Sequence, residues 1–133
     1  MTAAIDVGLK RIGLAINPYL DIVLPQKAIF RKNREQAARE VNDFLKEWKV
    51  TKLIVGIPKS GKSAEEMQIR IKHFVSLLDF DKDKIEFYEE YGSSVEAKEL
   101  IKGEIKEKRD GRIDSLAAKI ILERWLLNQK CSK

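Results

Sequence analysis

Cysteine and histidine are almost missing from this chain: Cys131 and His73 are the only ones among 133 residues. A lone cysteine excludes a disulfide framework and a cysteine-based zinc site within one chain. The longest apolar runs fall far short of the roughly 20 residues that span a bilayer, so no membrane association is expected. The N-terminal MTAAIDVGLKR lacks a charged segment followed by a long apolar stretch, so no signal peptide is read there and a cytoplasmic location is expected. Internal repeats, low-complexity segments and linkers are also missing. At this length a single domain over residues 1–133 is expected.

What is present is charge. The 26 Lys and Arg residues exceed the 21 Asp and Glu residues, giving a net charge of +5. That excess is compatible with a polyanionic partner without requiring one.

The hydrophobic pattern predicts strands over Thr2 to Val7, Arg11 to Asn17, Ile22 to Phe30, Lys52 to Ile57 and Ile85 to Glu90. The first two are joined by the tight turn GLKR, and Pro25 marks an edge or a bulge in the third. Helices are predicted from an Asn33 cap to about Trp48, over Ala64 to Leu78, from a Ser93–Glu96 capping box to about Lys102, and over Ser115 to Asn128. Three strands followed by alternating helices and strands imply an α/β fold, a mixed sheet flanked by helices. Crossovers through helices should set the later strands parallel to the first.

One motif points elsewhere. Gly56 to Ser63 spells G-x-x-x-x-G-K-S, the phosphate-cradling P-loop pattern, between a strand and a helix. Against a nucleotide-binding reading, Pro58 removes a backbone donor that such a cradle uses, and only one strand follows the motif. Lys59 and Lys62 are read instead as lining a nucleic-acid surface.

Acidic side chains stand where elements end or begin. Asp6 interrupts the apolar run AAIDVG, Glu89 and Glu90 close IEFYEE, and Asp114 opens GRIDSLAAKIIL. Sites in open α/β sheets form at the carboxyl ends of parallel strands, so Asp6, Glu90 and Asp114 could meet there. Clustered carboxylates repel one another unless a hard cation such as magnesium or manganese binds them. Two such ions about 4 Å apart can clamp a phosphodiester, and this chemistry needs no histidine. Each acid also has a plainer role, as turn former, solvated strand terminus or helix cap. Strand alternation turns only one of Glu89 and Glu90 toward such a cluster.

AIDVGLKRIGLAI, EEYGSSVEA and GRIDSLAAKIIL together resemble the YqgF family across nearly the whole chain and in the same order. The resemblance implies a ribonuclease H-like fold with a five-stranded mixed sheet. It implies a metal-dependent nuclease with Asp6, Glu90 and Asp114 as catalytic and metal-binding residues. Family members are described as nucleases for the 5′ end of pre-16S ribosomal RNA and as Holliday junction resolvases. The implied partner is therefore precursor rRNA, with branched DNA as the alternative, and the implied cofactor is Mg2+ or Mn2+. A resolvase cuts two strands symmetrically, so that role predicts a homodimer; trimming one RNA end suits a monomer. The family pattern around the central acid carries an arginine where this chain has Tyr91, which removes a cation able to grip phosphate bidentately. Basic residues flank the expected ligands: Lys10 and Arg11 follow Asp6, while Lys106, Lys108, Arg109 and Arg112 precede Asp114. Arg31, Lys32 and Arg34 form another group before the first helix. Phosphate contacts by these groups would make binding fall with salt.

Overall fold

The computed structural model describes residues 1–58, 64–90 and 115–131, with Glu90, Lys130 and Cys131 as backbone only. Five strands form one sheet: β1 (Thr2–Val7), β2 (Arg11–Tyr19), β3 (Ile22–Phe30), β4 (Lys52–Pro58) and β5 (Ile85–Glu90). Three helices accompany them: α1 (Arg34–Glu47), α2 (Ala64–Ser76) and α3 (Leu116–Cys131). The strand order is β3-β2-β1-β4-β5. β2 runs antiparallel to both of its neighbours, while β1, β4 and β5 are mutually parallel. This is the mixed sheet that the strand and helix order predicts, with β1 at its centre.

Alternation along β1 divides the core. Ala3, Ile5 and Val7 pack with Ala37, Val41 and Phe44 of α1 and with Ile71 and Phe74 of α2. Ala4 points to the opposite face and packs with Ile54 and with Ala118, Ile121, Leu122 and Trp125 of α3. Asp6 shares the parity of Ala4, so it belongs to the α3 face.

Local chemistry sets the element ends. The Asn33 side chain accepts from the Gln36 N–H and Gln36 reaches back to Asn33, a complete capping box for α1. Pro25 lies on edge strand β3, opposite Ala15 of β2, where its missing N–H is tolerated. The β2–β3 register shifts between Ile12 and Leu14, a bulge with two β3 residues opposite Gly13. Helix α2 ends at Ser76, two residues short of the expected Leu78, and α3 continues three residues past the expected Asn128. The helix expected after Ser93 lies outside the described residues.

Gly56, Ile57 and Pro58 pair with Tyr88, Glu89 and Glu90 of β5. The first three residues of the P-loop match are therefore strand residues inside the β4–β5 ladder. Residues 59–63 lie outside the described residues.

The C-terminal half of α3 is tied to β5. The Trp125 indole N–H donates to Glu86 at 2.5 Å, and Lys52 pairs with the same carboxylate at 3.2 Å. Trp125→Phe keeps the ring and removes the donor. It is expected to lower stability by about 1–2 kcal/mol, seen as a lower urea midpoint with an unchanged slope.

Candidate active site

Asp6 sits in the penultimate position of β1, the central strand. Gly13 faces it across the β1–β2 pair, and Gly56 continues the β1–β4 register one step past Ile5 and Val55. Both neighbouring positions on its face thus lack side chains, so neither strand neighbour covers the carboxylate with one. The residue retains some surface, yet its carboxyl group is deeply enclosed, and burial raises its pKa above the ordinary 3.8. No charge among the described residues contributes to that shift. An enclosed carboxylate with no cation beside it among the described residues has the character of a site for a hard cation.

The turn after Asp6 is held from two sides. The Gly8 N–H donates to the Arg11 carbonyl at 2.9 Å. A Cβ on Gly8 would stand 2.7 Å from that carbonyl oxygen, so the close approach requires glycine here. The Arg31 guanidinium donates to the Gly8 carbonyl at 2.7 Å, and the Arg31 N–H donates to the Lys10 carbonyl at 2.9 Å. Lys10 and Arg11 are both exposed on this turn, with Arg11 stacked 5.2 Å from the centre of the Phe30 ring.

The register gives position 90 of β5 the parity of Glu86 and Tyr88. Those two residues meet α3, through Trp125 and through a 3.0 Å bond from Asn128 to the Tyr88 hydroxyl. Position 90 therefore belongs to the face that carries Asp6. Glu89 takes the other parity, shared with Phe87, which packs on the α1–α2 side, and it is exposed. Positions 6 and 90 lie two strands and about two residues apart, roughly 10–12 Å between backbones at ordinary sheet spacings. Asp114 and the basic residues Lys59, Lys62, Lys106, Lys108, Arg109 and Arg112 lie outside the described residues. Among the described residues, no three His, Cys, Asp or Glu side chains cluster to hold a metal.

Ser115 is a residue that sequence reasoning missed. It is completely buried, immediately before α3. Its hydroxyl accepts from the Leu14 N–H at 3.0 Å and donates to the Gln26 carbonyl at 2.5 Å. Both groups belong to the β2–β3 bulge, and Leu14 adjoins Gly13, the residue facing Asp6. One hydroxyl therefore anchors the start of α3 beside the Asp6 face. The signal was its place next to Asp114, but a serine at a helix start reads first as a cap.

Comparisons with known proteins give the family and the fold. Residues 1–128 match the RuvX family, described as Holliday junction resolvase. A protein of Sulfurovum sp. (strain NBC37-1), named "Putative pre-16S rRNA nuclease", is 60% identical over 124 residues, covering 93% of this chain and 96% of that one. A protein of the same name from Sulfurimonas denitrificans is 53% identical, with 96% and 97% covered. Another from Helicobacter pylori (strain Shi470) is 46% identical, with 94% of each covered. Among solved structures, T. thermophilus RuvC in complex with a Holliday junction substrate aligns with a TM-score of 0.61 at 13% identity, covering 98% of this chain and 95% of that one. The fowlpox virus Holliday junction resolvase aligns at 0.54 and 14% identity, covering 96% and 98%. These two likenesses establish the ribonuclease H-like fold.

Two outcomes are expected from this geometry. Ser115→Ala strands two buried backbone groups and should destabilise the protein by about 2–4 kcal/mol. Hydrogen exchange should show early loss of protection at the Leu14 amide. Asp6→Asn should raise the melting temperature by a few degrees at pH 7 with a chelator present. Because burial raises the folded pKa, the ionised aspartate weakens the fold above that pKa. Below 3.8 both folded and unfolded chains hold the proton, so the benefit of asparagine should fade there. A gain that persisted undiminished at low pH would contradict the assignment of the penalty to ionisation.

Proposed function

The chain belongs to the RuvX family, and from that premise we propose that it is a metal-dependent nuclease, a hydrolase of phosphodiester bonds that trims the 5′ end of pre-16S ribosomal RNA. The observation that carries the chemistry is Asp6, an enclosed carboxylate at the carboxyl end of the central strand, flanked by two glycines. The RNA substrate is supported by the names of relatives 46–60% identical to this chain.

In this reading Asp6, Glu90 and Asp114 hold Mg2+ or Mn2+. The metal would supply an activated water and neutralise charge on the departing oxygen. The chain's own residues position and bind. Asp6 offers a carboxylate that protein already surrounds. The shared face of positions 6 and 90 supports Glu90, rather than Glu89, as the second ligand. Asp114 directly precedes Ser115, whose hydroxyl is bonded within one residue of Gly13. Lys10 and Arg11, together with Lys59, Lys62, Lys106, Lys108, Arg109 and Arg112, would meet phosphates along the substrate. The whole chain acts as one nuclease domain. Among its described residues no helix is long and apolar enough to cross a membrane, and a ribosomal RNA substrate would place it in the cytoplasm.

A second reading, resolution of branched DNA, draws on the family description and on the fold shared with T. thermophilus RuvC. Matched assays separate the two. A precursor RNA with its 5′ leader and a four-way DNA junction are each incubated with protein and magnesium, manganese or chelator. Cleavage of the RNA with metal, abolished by chelator, is expected. Asp6→Asn and Glu90→Gln should each reduce it by more than about a hundredfold, while Glu89→Gln should leave it nearly unchanged. Cutting confined to the junction would replace the first reading with the second, and full activity of Asp6→Asn would remove the proposed site.

A further inference from the structure

On the opposite face of the same sheet edge lies a cleft of about 560 Å³, within the roughly 300–1,000 Å³ of typical ligand sites. Its walls are the turn after Asp6 (Val7, Gly8 and Leu9), the β3–α1 junction and α2 from Met67 to His73 in its last turn. Three arginines and a histidine line it: Arg31, Arg34, Arg70 and His73. Among the described residues no carboxylate lines it. Between the cations stand apolar side chains, including Leu9 and Ile69, which are 64% and 69% exposed.

Arg34 is badly placed for stability. It is the first residue of α1, where the helix dipole disfavours a cation. The helix is capped by Asn33 and Gln36 without its help. Arg34 also disfavours the charge on Arg31, which burial already disfavours. Arg31 is committed to the Gly8 carbonyl and to the Phe74 ring, 5.2 Å away, so it stays in place. Among the described residues no hydrogen bond or ion pair offsets Arg34. Arg70 pairs with Glu66 at 2.6 Å, but both side chains are more than half exposed, and such pairs exchange readily for a better anion.

We propose that this cleft binds the sugar–phosphate backbone of a single-stranded nucleic acid, with Arg34 and Arg70 each neutralising a phosphate. Guanidinium groups interleaved with exposed apolar side chains suit unpaired nucleotides, whose bases offer flat apolar faces beside their phosphates. The cleft starts at Val7, the residue after Asp6, and alternation puts the two on opposite faces of one strand end. A strand crossing that edge would meet Asp6 on one side and the arginines on the other. The substrate class rests on the nuclease reading above, while the binding itself does not require catalysis.

The test separates the two. Fluorescence anisotropy with labelled single-stranded RNA is run on the full chain carrying Asp6→Asn, in chelator, across a salt series. Adding Arg34→Gln and Arg70→Gln is expected to weaken binding about tenfold. It should reduce the slope of log K against log salt by about 1.4, two phosphates at roughly 0.7 each on a single strand. The melting temperature should hold or rise, because a cation leaves a helix N-terminus. If the double variant folds poorly, Arg34→Gln alone at its exposed site should give about half the slope change. Unchanged affinity and slope overturn the proposal, and so does an equal loss on a blunt duplex of the same sequence. If wild-type protein with metal cuts nothing while the arginine effect persists, the nuclease reading fails and the cleft stands.

Discussion

A single hydroxyl, that of Ser115, reconciles a defect in the sheet with the docking of a helix. At the β2–β3 bulge the ladder is locally disrupted beside Leu14 and Gln26, and buried backbone groups must be paired. Ser115 supplies a partner to the Leu14 N–H and to the Gln26 carbonyl from outside the sheet. The start of α3 is thereby fixed against β2, while its far half is fixed to β5 through Trp125 and Glu86. With both ends anchored, the helix covers Ala4, Ala15 and Ile54 on the α3 face. Gly13 and Gly56 keep that face low beside Asp6. The candidate site is the space between a pinned helix start and a strand end bearing a carboxylate.

The same strand end carries two opposed electrostatic tensions. Burial disfavours the charged form of Asp6 on one face and of Arg31 on the other. Neither group is relieved by an opposite charge among the described residues. Functional sites are where folds retain such local conflicts. A cation would relieve the first and a phosphate the second. In the proposed reading, a metal-dependent enzyme acting on a polyanion would bring both to one edge.

Much of this was legible in local pattern. The five strands and their alternation could be read from apolar spacing, as could the Asn33 cap and the edge position of Pro25. Helix ends were less legible. Leu78 continues the apolar stripe of α2 and is buried, yet the helix has already ended at Ser76, since packing of a side chain does not require helical backbone beneath it. The P-loop match showed the limit of motif reading. Its strand-then-helix context was satisfied, and the strand expected to Ile57 already held its first two residues; the structure adds Pro58 and the pairing with β5, which a one-dimensional pattern does not register.

The sequence by itself determined which residues share a face, because side-chain direction follows from a strand period of two and a helix period of 3.6. That sets Asp6 apart from Ile5 and Val7, and Glu89 apart from Glu90, before any contact is known. Tertiary structure alone decided what stands beside each of them. Strand order brought Gly13 and Gly56 to Asp6 from segments that are distant in sequence. The bulge made Ser115 a bridge across 101 residues to Leu14. The meeting of α2 with the β3–α1 junction set Arg70 and His73 opposite Arg34. These are long-range pairings fixed by register and packing, and no local period encodes them.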